Sequence, residues 1–148
     1  MWASGPSLAT ARLARRSSGR LRAPGPYNPG VIVSRSFEFQ AAHHLPNHPG
    51  KCHRLHGHTY RLEVRCEGPV DPTSGMVVDF ADVRKLVEAK VLDVLDHQLL
   101  NDFLENPTAE LVAVWIWDRL SQTALPLSEI RLHETSACYV VYRGPNVT

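Results

Sequence analysis

Apolar and polar residues alternate in two segments of the first half of the chain, which is the pattern of half-buried β-strands. The apolar positions are Val31, Val33, Phe37 and Phe39 in the first segment and Tyr60, Leu62, Val64 and Cys66 in the second. A Pro-, Gly- and His-rich loop, residues 45–55, lies between them. The two strands are therefore predicted to be neighbours in a sheet.

The pattern changes to a helical period after Asp79, the predicted N-cap, and a second helix is predicted to begin at Thr108. Two further strands, "SEIRLHET" and "CYVVYRG", close the chain. The order β-β-α-α-β-β predicts an α+β fold, a four-stranded antiparallel sheet with two helices on one face. Cys66 and Cys138 lie within predicted strands and are expected to be buried.

The first 30 residues differ in composition from the rest. They are rich in Arg, Ser, Gly and Pro and contain no acidic residue, so we predict a disordered extension over 1–30 and a folded domain over 31–145. An Arg- and Ser-rich N-terminus also resembles an organelle transit peptide, which is the alternative interpretation.

Charge and cysteine content narrow the partners and the compartment. The net charge of +1 favours neither nucleic acid nor an anionic membrane as a partner. No apolar run is long enough to span a bilayer, so no membrane partner is expected. Three cysteines are too few for a disulfide framework and indicate a reducing compartment, which predicts a cytoplasmic protein.

Histidines are concentrated near the start of the second strand, in "KCHRLHGHTY". Side chains at i and i+2 of a strand point to the same face, so His56 and His58 present two imidazoles side by side. If the two strands pair, His43 reaches the same spot. Three imidazoles with one open position are typical of catalytic zinc, although the same ligands suit other transition metals.

The neighbouring residues leave alternatives open. Cys52 is either a fourth ligand that closes a structural site or a free thiolate beside a catalytic metal. Asp96 and His97 are adjacent, and adjacent residues on a helix do not face one another, so a capping Asp and a surface His are expected. By default, Glu134 is an exposed strand carboxylate. The other histidines of interest are expected on solvated loops: His44, His48, His53 and His133.

Five segments, taken together and in order, resemble the 6-pyruvoyl-tetrahydropterin synthase family. They are "FQAAHHLPNHPGKCHRLHGHTYRLEV", "VDPTSGMVVDFADV", "LDHQLLND", "ENPTAELVAVWIWD" and "HETSACYVVYRG". The resemblance implies the tunnelling fold, in which sheets of three subunits form a barrel and two trimers stack into a hexamer. It also implies active sites at subunit interfaces.

The resemblance further implies a role for each matching residue. His43, His56 and His58 correspond to zinc ligands, and Cys52 to a catalytic thiol that acts as a base without binding the metal. Asp96 and His97 match a pair that works with the thiol in proton transfer. Glu134 matches the carboxylate that binds the pterin ring, and Thr108 a residue of the pterin pocket.

The implied substrate is 7,8-dihydroneopterin triphosphate, and the spacing C-x₃-H-G-H favours the queuosine-pathway branch of the family. That branch forms 6-carboxy-5,6,7,8-tetrahydropterin and releases acetaldehyde and triphosphate. The rival outcomes are a pyruvoyl-tetrahydropterin product and a non-enzymatic structural zinc module. Three residues depart from the family pattern and bear on substrate preference: His44, His53 and Ala109.

Overall fold

The computed structural model describes residues 30–145. Within them, β1 (Val31–His43) and β2 (His56–Gly68) form a long antiparallel pair, in register from Val31 opposite Gly68 to His43 opposite His56. The predicted disordered extension lies outside the described residues except for Gly30. This register brings the last residue of β1 against the first residue of β2, so the histidine-rich ends of both strands meet.

The sheet has one more strand than the sequence predicted. β3 (Gln98–Leu99) pairs parallel with β1, while β4 (Leu127–His133) and β5 (Tyr139–Tyr142) extend the antiparallel part beyond β2. The strand order is β3-β1-β2-β4-β5. Two residues in a non-alternating sequence give no strand signal, because β3 exists only through its pairing with β1.

The helical residues form two helical segments that follow one another in the chain, as predicted. The first consists of α1 (Phe80–Val87), a π-helical segment (Glu88–Leu92) and α2 (Asp93–Leu95), and the second is α3 (Ala109–Leu120). Both predicted N-caps are present, because the Asp79 side chain accepts from Ala81 N–H and the Thr108 hydroxyl accepts from Leu111 N–H. No described helix has the length and apolar content needed to cross a bilayer.

Both helical segments cover the same face of the sheet, and the hydrophobic core lies between them and the sheet. Phe39, Tyr60, Leu62 and Ile130 are at most 2% exposed there, and burial also raises the pKa of the Cys66 thiol. On the opposite face the buried Glu129 carboxylate is paired with the guanidinium groups of three arginines: Arg65, Arg131 and Arg143.

Two sequence predictions about burial are wrong. His133 is a buried residue of β4, stacked on Tyr139, and its Nε2 lies 3.4 Å from a Glu63 carboxylate oxygen. Cys138 precedes β5 and is exposed. His133 is buried because it lies within β4 and packs against Tyr139 of β5 and Glu63 of β2. Cys138 is exposed because β5 begins one residue later than predicted, at Tyr139.

Candidate active site

The three predicted metal ligands converge at the histidine-rich ends of β1 and β2. One ring nitrogen from each of His43, His56 and His58 lies within 4.8 Å of the others, and in the described part of the chain no other group of this kind is found. His43 is 1% exposed and the other two are half-buried. We call this set the three-His group.

Backbone carbonyls fix the orientation of two of these imidazoles. The Nδ1 atom of His43 lies 2.8 Å from the Pro107 carbonyl oxygen, and Nδ1 of His56 lies 2.7 Å from the Arg54 carbonyl oxygen. A carbonyl only accepts, so both Nδ1 atoms carry the proton and both Nε2 atoms present a lone pair. Such outer hydrogen bonds are the usual means of orienting metal-binding histidines.

The two Nε2 atoms of His43 and His56 lie 3.1 Å apart. Two lone pairs at this distance repel each other unless a cation lies between them. Nitrogens that bind one tetrahedral zinc ion at 2.0–2.1 Å are about 3.4 Å apart, which is close to this separation. Burial lowers the pKa of His43, which keeps the ring in its neutral, metal-binding form. The residues present therefore fit a metal ion.

Cys52 lies beside the three-His group but is not part of it. It belongs to a short 3₁₀ turn, Lys51–His53, and is half-buried. With Lys51, His56 and His58 it lines a cleft of about 360 Å³. A hydrogen bond of 2.9 Å from Leu45 N–H to the Cys52 carbonyl closes the loop on itself. The thiol is thus held next to two of the imidazoles by backbone pairing.

Asp96 and His97 contact each other, contrary to the expectation from helix geometry. A carboxylate oxygen of Asp96 lies 3.0 Å from Nδ1 of His97. The helix ends at Leu95, Asp96 is extended, and His97 has a φ of 59° in the left-handed region, so the helical rule does not apply to this pair. A non-glycine residue in that conformation is a frequent feature of functional sites.

Backbone groups of β1 hold the Asp96–His97 pair in place. The Gln40 N–H donates to Asp96 at 2.8 Å, and the His97 N–H donates to the Gln40 carbonyl. The Gln40 hydrogen bond is the main cause of a lowered Asp96 pKa, so the carboxylate is ionised at neutral pH. His97 lines a cleft of about 570 Å³, and His58 borders both this cleft and the Cys52 cleft.

Glu134 is half-buried and faces the three-His group, whereas the default expectation was an exposed strand residue. Its carboxylate lies 3.9 Å from Nε2 of His43. Glu134 and Thr108 line a third cleft, of about 380 Å³, which Glu110 and His48 also border. This cleft combines two carboxylates with a hydroxyl and an imidazole, so it can bind a ligand that offers several N–H donors.

Sequence reasoning missed the groups that orient the site. The carbonyls of Arg54 and Pro107 carry no sequence signal, because every residue has a carbonyl. Asn101 lies in "LDHQLLND", but nothing in that motif showed that its side chain binds the backbone of His44. His48 was assigned to a solvated loop, and it is exposed, yet it borders the Glu134 cleft.

Several proteins with similar sequences or structures are pterin synthases. The family model for 6-pyruvoyl tetrahydropterin synthase matches residues 32–145. The 6-carboxy-5,6,7,8-tetrahydropterin synthase of Synechocystis is 38% identical over 124 residues, which is 79% of this chain and 96% of that protein. The human 6-pyruvoyl tetrahydrobiopterin synthase is 37% identical over 134 residues, which is 76% of this chain and 90% of that protein.

A solved structure supports the same assignment. The 6-pyruvoyl tetrahydropterin synthase of Caenorhabditis elegans superposes with a TM-score of 0.74 at 34% identity, covering 80% of this chain and 99% of that one. This likeness confirms the fold expected from the resemblance. The chain belongs to the 6-pyruvoyl tetrahydropterin synthase family.

Proposed function

We propose that this protein is a lyase that converts 7,8-dihydroneopterin triphosphate and one water to 6-carboxy-5,6,7,8-tetrahydropterin, acetaldehyde and triphosphate, in queuosine biosynthesis. The observation that carries the proposal is the three-His group with a thiol in the adjoining cleft. Cys52 precedes His56 by four positions, the spacing C-x₃-H that favours this branch of the family. Membership of the family and the similarity to the Synechocystis protein support it.

The metal proposed for the three-His group is one zinc ion per subunit. Three neutral imidazoles with an open fourth position are the ligand set of catalytic zinc sites. Bound there, zinc would act as a Lewis acid that stabilises negative charge developing on substrate oxygens. Glu134, 3.9 Å from His43, is close enough to favour a cation in this position as well.

The side chains around the metal divide the remaining work. Cys52 is proposed as the base that removes a proton from the substrate side chain, and His97, oriented by Asp96, as the group that returns one. Glu134 is proposed to accept two parallel hydrogen bonds from a pterin ring N–H and its adjacent amino group. Thr108, whose hydroxyl oxygen already accepts from Leu111, retains its own O–H for the pterin.

The triphosphate requires positive charge near the thiol. Lys51 lines the Cys52 cleft, and Arg54 lies in the same loop with an exposed side chain. These two residues are the proposed triphosphate contacts, because they are the cationic side chains next to Cys52 in this loop.

We further propose a cytoplasmic homo-hexamer, a dimer of trimers. Apolar residues are exposed on β1 away from its short pairing with β3, at Val31 and Ile32, and on the edge strand β5, at Tyr139 and Val141. An unpaired edge with exposed apolar side chains is suited to pairing with another chain. The family resemblance implies active sites at subunit interfaces, so a neighbouring subunit is proposed to complete each site.

A second candidate product is 6-pyruvoyl-tetrahydropterin. The human and Poecilia reticulata 6-pyruvoyl tetrahydrobiopterin synthases are 37% and 42% identical to this chain, values that bracket the 38% of the Synechocystis protein. Overall identity therefore does not separate the branches. Both reactions would begin with the same proton transfers and loss of triphosphate, and they differ in whether the side chain is then cleaved.

Product identification tests the proposal directly. The zinc-loaded protein is incubated with 7,8-dihydroneopterin triphosphate, and the mixture is analysed by liquid chromatography and mass spectrometry, with chelator-treated protein as the control. Carboxytetrahydropterin with acetaldehyde is the expected result. Formation of pyruvoyl-tetrahydropterin would support the proposed site but would show that the proposed product is wrong. Unchanged substrate with zinc still bound would overturn the proposed function.

A further inference from the structure

One short segment, residues 96–101, holds the outer edge of β1 where that strand ends. At Gln40 the Asp96 carboxylate accepts from the backbone N–H, and the His97 N–H donates to the backbone carbonyl. β3 then pairs with the next two residues of β1. The outer edge of β1 is thus hydrogen-bonded at its last residues before His43, from Gln40 to Ala42.

Asn101 continues this pairing past the strand with its side chain. Its Oδ1 accepts from the His44 backbone N–H at 2.9 Å, and its Nδ2 donates to the His44 carbonyl at 2.9 Å. A primary amide offers one acceptor and donors in one plane, so it can replace the backbone of a further strand residue. Asn101 is itself half-buried in a 3₁₀ turn, Leu100–Asp102, which Leu100 anchors in the core at 1% exposure.

His43 lies between the residues of β1 that pair with β3 and His44, which Asn101 holds. Its backbone is paired with β2 on the inner edge, and its ring is held by the Pro107 carbonyl. The Asn101 amide completes the restraint by fixing the residue that follows. We propose that Asn101 is a positioning residue for the metal ligand His43, acting through the backbone of His44 without touching the metal.

The same segment carries Asp96 and His97 at its other end. The inference rests on the proposed metal binding by the three-His group and is independent of which pterin product is formed.

Zinc affinity measures the positioning role without relying on turnover. Asn101→Ala, which removes both hydrogen bonds, is expected to weaken zinc binding about 10-fold in competition with a chromophoric chelator. Asn101→Asp keeps the acceptor but points a carboxylate at the His44 carbonyl, so it too should weaken binding. Asp102→Ala, an exposed position in the same turn, is the matched control and should bind zinc like the wild type.

A cobalt-loaded sample gives a second readout. The visible absorption of Co²⁺ depends on ligand number and geometry, so both Asn101 variants should show a changed spectrum and Asp102→Ala an unchanged one. The gain in thermal stability on adding zinc should also shrink in the Asn101 variants, by about 1.4 kcal/mol for a 10-fold weaker site.

A purely structural role gives a different pattern. It would lower the melting temperature equally with and without zinc while zinc affinity and the cobalt spectrum stay as in the wild type, and that result overturns the inference. If Asn101→Ala does not fold, the zinc affinity and cobalt spectrum of the near-isosteric Asn101→Asp variant test the inference instead. Wild-type protein that binds no zinc would refute the metal site itself, whereas equal binding by wild type and both variants refutes only the role of Asn101.

Discussion

Replacing Cys52 by alanine should leave the metal in place and remove turnover, because the thiol lies beside the three-His group without belonging to it. Structural zinc sites contribute about 10–16 kcal/mol, so one ligand of four is worth roughly 3 kcal/mol, or about 10²-fold in affinity. His56→Ala is expected to lose that amount. Cys52→Ala should change zinc affinity by less than about 3-fold, and should lower turnover about 10²- to 10⁴-fold, as expected for loss of a general base.

The assay combines zinc content after dialysis, chelator competition and single-turnover kinetics for both variants. Asp102→Ala is the control, because Asp102 is exposed and lines none of the three clefts. If Cys52→Ala lost zinc as His56→Ala does, Cys52 would be a fourth ligand and the site a closed structural one. Chelation should then unfold the domain, whereas folded, inactive protein after chelation supports the catalytic site.

Three other predictions follow from the environments of single groups. Asp96→Asn should preserve the hydrogen bond from Gln40 but lower turnover about 10²-fold, measured by steady-state kinetics, because an amide stabilises protonated His97 less well than a carboxylate; wild-type turnover would refute the role of the pair. The lowered pKa of Asp96 means that its ionised form stabilises the folded state at pH values above the unfolded pKa of about 3.8, and this stabilisation is lost as the pH falls further. The Asp96→Asn variant should lack this contribution when the free energy of unfolding is measured as a function of acidic pH. Iodoacetamide should label Cys138 in the native protein and Cys66 only after unfolding, since Cys66 is buried with a raised pKa, and peptide mass spectrometry showing native labelling of Cys66 would contradict the described core.

Local features of the site could be predicted from the sequence, because they depend on regular geometry over a few residues. The i, i+2 spacing of His56 and His58 requires a common face once the segment is a strand. Alternation identified the buried side of β2, and short polar side chains identified both helix N-caps, Asp79 and Thr108. The roles proposed for the catalytic residues and the extension over residues 1–30 stay predictions.

What only the tertiary structure decided depends on where the chain turns and which distant segments meet. Asp96 and His97 face each other because the helix ends at Leu95, just before this pair, and because His97 takes a left-handed conformation. Hydrophobic periodicity encodes neither feature. The approach of Glu134 to His43 joins residues far apart in the chain. The amino-acid sequence by itself determined which residue types could hold a metal and move protons. The pairing of β1 with β2 and with residues 96–101 decided that these residues lie at one place, because hydrogen bonds between distant backbone segments set their positions.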